Sequence, residues 1–142
     1  MNILVCTDGS EQSFNAIKKT AKIAENLKEA TISILFVFDP APLNTETEGL
    51  SISRVQTIKS ERGQEVLEQA EELLNKYNIN IANKIVREGH PVNEITDEVS
   101  QNNYDLVVIG NRGIGRIQSM FLGSVSSAVA QEAKTDVMIV KK

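Results

Sequence analysis

The sequence predicts an α/β domain in which helices cover both faces of a parallel β-sheet. Short apolar runs of strand length alternate with longer segments of helical period along the 142 residues. This alternation is typical of parallel sheets with right-handed crossovers. The length predicts one domain covering residues 1–142, since compact domains centre on about 100–150 residues. Apolar residues make up 41% of the chain, enough to build a buried core.

Residue type and period predict the first strand, the first helix and the second strand. Residues 3–6 are an apolar run that stops at Asp8-Gly9-Ser10, which indicates a buried strand. Ser10 is the expected N-cap of a helix whose single apolar stripe runs from Phe14 to Leu27. Residues 31–38 are rich in β-branched and aromatic side chains and predict the second strand.

A long irregular stretch comes next. Residues 40–53 contain two prolines and a glycine, and predict a loop of the kind that forms lids or mobile segments. The amphipathic helix after it has an acidic outer face, which we expect to be solvated. Gly63 costs this helix about 1 kcal/mol relative to alanine, so we expect the helix to begin late or to bend there. Residues 79–86 predict the third strand, and the asparagines within it indicate an edge position.

The second half of the chain continues the alternation. Pro91 suits the first turn of a third helix. The near-continuous apolar run of residues 106–109 predicts a central strand. A glycine-rich loop follows it, then a short helix over about residues 124–133 and a last strand over residues 137–140.

The carboxyl ends of strands one and four are the predicted site. Ligands of parallel sheets bind beyond the carboxyl ends of the strands, where the strand order reverses. Strands one and four are the most apolar and are therefore the expected central pair. Their carboxyl ends carry residues 7–10 (Thr-Asp-Gly-Ser) and 110–113 (Gly-Asn-Arg-Gly).

The loop after strand four has the composition of a phosphate site. Three glycines open it, and Gly123-Ser124 then begins the next helix. Such a helix start offers free amide hydrogens, a positive dipole end and a hydroxyl, which together favour phosphate. Arg112 and Arg116 are the only charged residues between positions 106 and 131, in a chain of net charge −4. A flexible glycine hinge with two solvated arginines is the simpler alternative, but the helix start and the sheet position favour phosphate binding.

The glycine spacing matches neither of the two commonest phosphate motifs. A P-loop requires a lysine that residues 110–131 lack, and a dinucleotide fingerprint would follow the first strand. The pattern Gly110-x2-Gly113-x9-Gly123-Ser124 instead resembles the ATP-binding branch of the universal stress protein family. The resemblance extends over the whole chain, from the opening strand with Asp8-Gly9-Ser10 to residues 122–126.

The resemblance implies a flavodoxin-like, Rossmann-like sheet of five parallel strands in the order 3-2-1-4-5. It also implies a homodimer formed through the last strand, and ATP as the bound ligand with Mg²⁺ held by its phosphates. In the family pattern Asp8 lies at the adenosine end, the backbone of Val37 meets adenine, and the glycines cradle the ribose and phosphates. The implied nucleotide-binding residues are Thr7, Asp8, Val37, Ile109, Gly110, Arg112, Gly113, Gly123, Ser124, Val125 and Ser126.

The leading functional hypothesis is a nucleotide-dependent regulatory module of the stress response. The local sequence predicts no catalytic residue, because it offers no positioned lysine and no histidine base for phosphoryl transfer. Slow ATP hydrolysis or self-phosphorylation, on Ser124 or Ser126, stays open. A nucleotide-free dimerisation module is the other alternative. The single cysteine and the single histidine are far apart in sequence, so no transition-metal site is predicted.

Charge and hydropathy restrict the partners and the compartment. The pI of about 5.1 argues against general binding to nucleic acid or to anionic membranes. No apolar run approaches the roughly 18 residues that span a bilayer, and the amino-terminal residues lack the pattern of a signal peptide. Cys6 alone cannot form an internal disulfide, which suits a reducing compartment. These observations predict a cytoplasmic protein.

Overall fold

The chain forms one five-stranded parallel sheet in the order β3-β2-β1-β4-β5, which confirms the predicted architecture. The structure is a computed structural model and describes residues 1–40, 49–111 and 122–141. Strands and helices alternate throughout these residues. In chain order they are β1 Asn2–Thr7, α1 Glu11–Ala24, β2 Thr31–Phe38, α2 Ile52–Asn75, β3 Asn80–Glu88, α3 Pro91–Gln101, β4 Leu106–Gly110, α4 Ser124–Glu132 and β5 Asp136–Val140.

The most apolar strands occupy the centre of the sheet, as their composition predicts. β1 pairs with β2 on one side and with β4 on the other. Ile3, Leu4 and Val5 are completely buried, because each face of β1 is covered by helices. The polar strand β3 lies at one edge and β5 at the other. A register shift between Ile32 and Ser33 of β2 leaves Ala82 of β3 as a bulge.

Two helices pack on each face of the sheet. α1 and α2 cover one face, where Ile17 and Leu67 join the buried side chains of β1 and β2. α3 and α4 cover the other, where Val99 and Val129 meet side chains from β1, β2 and β4. The carboxyl ends of the strands and the amino-terminal turns of the helices therefore lie at the same end of the molecule, since each crossover helix runs antiparallel to the sheet.

Two expectations for the helices are wrong. Leu27 lies beyond the end of α1 and is exposed, because α1 ends at Ala24. α2 does not begin late at Gly63, since it runs without interruption from Ile52 through this glycine to Asn75. Gly63 is buried, and a Cβ at this position would lie 2.7 Å from Cδ1 of Phe36. The glycine is therefore a point of close contact between α2 and β2. Most of the predicted loop over residues 40–53 lies outside the described residues.

Candidate binding site at the carboxyl end of the sheet

A cavity of about 210 Å³ opens at the carboxyl ends of β1 and β4, beneath the first turns of α3 and α4. One end is apolar and the other is polar. The cavity lies where the order of the strands reverses, which is the position that parallel sheets use for ligands. It is lined by Cys6, Thr7, Asp8, Ser13, Leu35, Val37, Pro91, Ile95, Ile109, Gly110, Gly123, Ser124, Val125 and Ser126.

The amino terminus of α4 forms the polar end of the cavity. Gly123 is its N-cap, and glycine has no side chain that could accept a hydrogen bond from the first turn. The amide hydrogens of the first turn also have no acceptor within the helix. The carbonyl oxygen of Asn111 accepts from the amide of Gly123 at 2.7 Å and from the hydroxyl of Ser126 at 3.2 Å. These bonds fix the start of α4 against the end of β4, so uncapped amides and a positive dipole end border the cavity.

The turn between β1 and α1 supplies the second polar wall. Oδ1 of Asp8 accepts a hydrogen bond from the amide of Ser10 at 3.0 Å, so this carboxylate shapes the turn as well as lining the cavity. Oγ1 of Thr7 lies 2.9 Å from Oγ of Ser13 and accepts from the amide of Gly9 at 3.2 Å. Ser10 caps α1 as predicted, because its side chain accepts from the amide of Ser13. Local hydrogen bonds therefore define the backbone conformation of this wall.

Apolar side chains from four elements form the other end of the cavity. Leu35 and Val37 come from β2, Ile95 from α3 and Ile109 from β4. Cys6 completes this surface from β1. Burial, and secondarily the negative charge of Glu98, raise the pKa of the Cys6 thiol to about 12. The thiol is therefore protonated at neutral pH and acts as a small apolar group.

The structure brings together nine of the eleven residues predicted for the site. These nine all line the cavity, although they come from four separate segments of the chain. Arg112 and Gly113 lie outside the described residues. The nine are Thr7, Asp8, Val37, Ile109, Gly110, Gly123, Ser124, Val125 and Ser126.

Sequence reasoning missed five residues of the lining. Cys6 and Leu35 have the pattern of core residues. The alternation of side chains along a strand does not show which of the buried residues line a cavity. Ser13, Pro91 and Ile95 lie in the first two turns of α1 and α3. The topology could have predicted these three residues. Helices that follow parallel strands begin at the carboxyl end of the sheet, so their first turns border the site.

Gly110 has a packing role in addition to its place in the lining. A Cβ at this position would lie 3.0 Å from the carbonyl oxygen of Gln12, so the glycine lets β4 approach the start of α1. Its φ is not in the left-handed region, so it is not a glycine required by backbone conformation. Beside it, the buried Oδ1 of Asn111 has no hydrogen-bond partner among the described residues.

Two further kinds of feature are lacking in the part of the chain that the structure describes. No cluster of three or more histidine, cysteine, aspartate or glutamate side chains is arranged to hold a metal ion. No helix over residues 1–40, 49–111 and 122–141 has the length and apolar character needed to cross a membrane. His90 is exposed and is the N-cap of α3, directly before Pro91.

Comparison with known proteins agrees with the fold. A model described as the universal stress protein family matches residues 1–141. The chain belongs to the universal stress protein family. Universal stress protein MJ0531 of Methanocaldococcus jannaschii is 31% identical over 141 residues, which cover 99% of this chain and 81% of that protein. Universal stress protein YxiE of Bacillus subtilis is also 31% identical, over 98% of this chain and 97% of the relative.

Solved structures of the family have the same fold. Universal stress protein UspA from Lactobacillus plantarum superposes with a TM-score of 0.85 at 23% identity, covering 99% of this chain and 97% of its own. A universal stress protein in complex with cAMP has a TM-score of 0.70 at 26% identity, with coverage of 99% and 96%. A family member from Arabidopsis thaliana with AMP bound, At3g01520, has a TM-score of 0.71 at 20% identity, with coverage of 100% and 92%.

Proposed function

We propose that this universal stress protein binds an adenine nucleotide, ATP in its complete form, in the cavity at the carboxyl end of the sheet. The bound nucleotide sets the conformation of the site and thereby regulates a partner in the cytoplasmic stress response. The observation that carries the proposal is that one cavity has both an apolar surface and a polar surface. An apolar slot between β2 and α3 suits a base, and the uncapped amino terminus of α4 suits phosphate.

Each wall of the cavity has a part in this proposal. The base lies between Val37 and Ile95, the ribose lies beside Asp8, and the phosphates extend over the first turn of α4. Gly123 leaves room for the phosphates at that turn. The glycine pattern assigns Arg112 and Gly113 to the phosphate side as well. Mg²⁺ is held mainly by phosphate oxygens, because hard cations prefer oxygen ligands and commonly bind through substrate phosphates.

Two relatives support the class of ligand. One family member was solved in complex with cAMP and another with AMP bound. Both ligands contain adenine, ribose and a phosphate, which are the groups that the apolar slot, Asp8 and the start of α4 accommodate here. A third phosphate is the extension that the glycine pattern of the ATP-binding branch favours.

For the alternative of a weak self-phosphorylating enzyme, the two candidate hydroxyls differ in their accessibility. Ser126 is 2% exposed, and its hydroxyl donates to the carbonyl oxygens of Asn111 and Gly123. Ser124 is exposed at the first position of α4. Modification at Ser126 would break the contact between α4 and β4, so any phosphate transferred in the site goes to Ser124.

The proposal includes a homodimer formed through β5. Val137, Met138, Ile139 and Val140 are all partly exposed in the single chain, which is unusual for consecutive apolar residues. The opposite edge is protected from pairing, because β3 carries the bulge at Ala82 and the exposed Lys84. The two edges therefore differ in the way expected if only β5 meets a second copy.

Calorimetric titration of the nucleotide-stripped protein with AMP, ADP and ATP, with and without Mg²⁺, tests the proposal. We expect saturable binding that strengthens with each added phosphate. Gly123→Val places a branched side chain at the start of α4, and should abolish binding of all three nucleotides. Thermal unfolding of the same samples without nucleotide checks that the variant folds. With nucleotide at about 100 times its Kd, the free energy of unfolding of a protein that binds it rises by about 2.7 kcal/mol.

Ser51→Val is the matched control for Gly123→Val. It also puts valine at the N-cap of a helix, and removes the hydrogen bond from the amide of Arg54 to Oγ of Ser51. Ser51 does not line the cavity, so this variant should lose stability and keep its affinity. Heats no larger than dilution for all three nucleotides on the unmodified protein would contradict the proposal and favour a nucleotide-free dimerisation module.

A further inference from the structure

A buried carboxylate of α3, Glu98, lies outside the lining of the cavity. Glu98 is 3% exposed, on the same helix as the core residues Val92, Ile95 and Val99. It accepts hydrogen bonds from Arg87, from Nδ2 of Asn102 at 2.9 Å and from the hydroxyl of Tyr104 at 2.9 Å. Burying a charge is costly unless it is paired and hydrogen-bonded, and these three donors provide that compensation.

Arg87 joins the end of β3 to the first two turns of α3. One guanidinium nitrogen bonds Glu98, and the other lies 3.6 Å from Oε2 of Glu94. Glu94 also packs over the turn that leads into the helix, where a Cβ on Gly89 would lie 2.5 Å from its Oε1. Because these two carboxylates are four residues apart, one planar guanidinium contacts successive turns of the same helix face.

The same two turns of α3 form a wall of the cavity. Pro91 and Ile95 line it from the helix, and Leu35 and Val37 line it from β2. Val37 is the direct partner of Arg87 in the register of β2 and β3. The distance between α3 and the sheet therefore sets the width of the apolar slot, and the contacts of Arg87 with Glu94 and Glu98 join β3 to α3 beside this slot.

We infer that Arg87, through Glu94 and Glu98, is a positioning residue for the ligand of the cavity. This inference rests on the proposed nucleotide site and adds to it a residue that does not line the cavity. Without the guanidinium, the buried carboxylate of Glu98 loses its ion pair and keeps only the neutral donors Asn102 and Tyr104. The first turns of α3 then move relative to the sheet, and the slot no longer matches the base.

Arg87→Met removes the charge and keeps most of the length of the side chain. Titration with AMP, ADP and ATP, at a temperature where each variant is fully folded, should show a loss of affinity of roughly 3- to 30-fold. The factor should be the same for the three nucleotides, because the change is at the base end and not at the phosphates. Hydrogen exchange of the free protein should rise over residues 92–99.

Lys84→Met is the matched control on the same strand. Lys84 is also ion-paired, with Glu71 of α2 at 2.5 Å, but this pair lies on the opposite face of the sheet from the cavity. Its loss should leave the three affinities within twofold. Arg87→Lys should lie between the unmodified protein and Arg87→Met, since an ammonium group keeps the charge but not the planar fork.

The outcomes separate the two proposals. Unmodified protein that binds nucleotide, with equal affinity in Arg87→Met, would overturn the role of Arg87 and leave the site standing. A loss confined to ATP would also overturn it, because that pattern belongs to the phosphate end. Unmodified protein that binds none of the three nucleotides would overturn both proposals.

Discussion

The surroundings of Cys6 determine its chemistry. Its side chain is 5% exposed, and burial together with the charge of Glu98 raises the pKa from 9.0 to about 12. Below pH 9 the thiol is protonated in the folded and in the unfolded chain. As the pH rises above 9 the unfolded thiol loses its proton while the folded thiol keeps it, so the contribution of Cys6 to stability is lost between pH 9 and about pH 12.

This titration is measurable against Cys6→Ala. Urea unfolding of both proteins at pH 8 and pH 10 gives the difference between their free energies of unfolding. We expect this difference to shrink by about 1 kcal/mol for each pH unit above 9. Tyr104, whose pKa is raised chiefly by burial, titrates in both proteins and largely cancels. A difference that stays constant with pH would contradict a shifted thiol at Cys6.

Between α2 and β2, one glycine determines how closely two elements pack. A glycine inside a helix normally costs about 1 kcal/mol relative to alanine, so Gly→Ala is usually stabilising. At position 63 the new methyl group would lie 2.7 Å from Cδ1 and 3.0 Å from Cε1 of Phe36. Both residues are buried between the helix and the sheet, so neither can move aside without disturbing the core.

Gly63→Ala is therefore expected to destabilise the protein by about 1–3 kcal/mol, in the direction opposite to helix propensity. Urea unfolding measures the change. The same substitution in a Phe36→Leu background is the control, because the ring that meets the methyl group is gone. There the penalty should disappear. A stabilising effect of Gly63→Ala on the unmodified background would show that the contact relaxes at no cost.

The elements themselves were largely predictable, because each depends on local pattern. The second strand ends at the predicted residues, and the polar residues of β3 correctly indicate an edge. The predictions that failed needed information from another element. Nothing within α2 indicates that Gly63 meets Phe36, and the stripe that includes Leu27 continues past the point where α1 ends.

The candidate site also has one part that the sequence predicts and one part that it does not. Glycine spacing and strand composition identify the polar end, because Gly110 and Gly123 belong to a motif that is continuous in sequence. The apolar end has no such motif. Ile95 and Leu35 have the spacing of ordinary core residues, and only the crossing of α3 over β2 brings them to the cavity. Arg87 is still harder to find, since it acts through Glu98 on another element.

The sheet of the whole molecule has two edges, β3 and β5, and the backbone hydrogen bonds show which groups of each edge strand face outward. The amide of Asn111 donates to the carbonyl oxygen of Val140 at 2.9 Å. Backbone groups alternate in direction along a strand, so Val140 and Met138 face β4 and the polar backbone groups of Val137 and Ile139 face outward. A second copy of β5 can bond these outward groups. A proline at one of them removes an outward donor and leaves the ladder to β4 intact.

Ile139→Pro is therefore expected to convert the proposed homodimer into a monomer, as measured by light scattering during size-exclusion chromatography. Lys84→Pro is the control on the opposite edge. The amide of Gly89 donates to the carbonyl oxygen of Phe38, so Arg87 faces β2 by the same alternation and the amide of Lys84 faces outward. This second variant should keep the mass of the unmodified protein. Loss of the dimer in both variants would indicate general destabilisation, and a dimer that survives Ile139→Pro would mean that the copies meet through another surface.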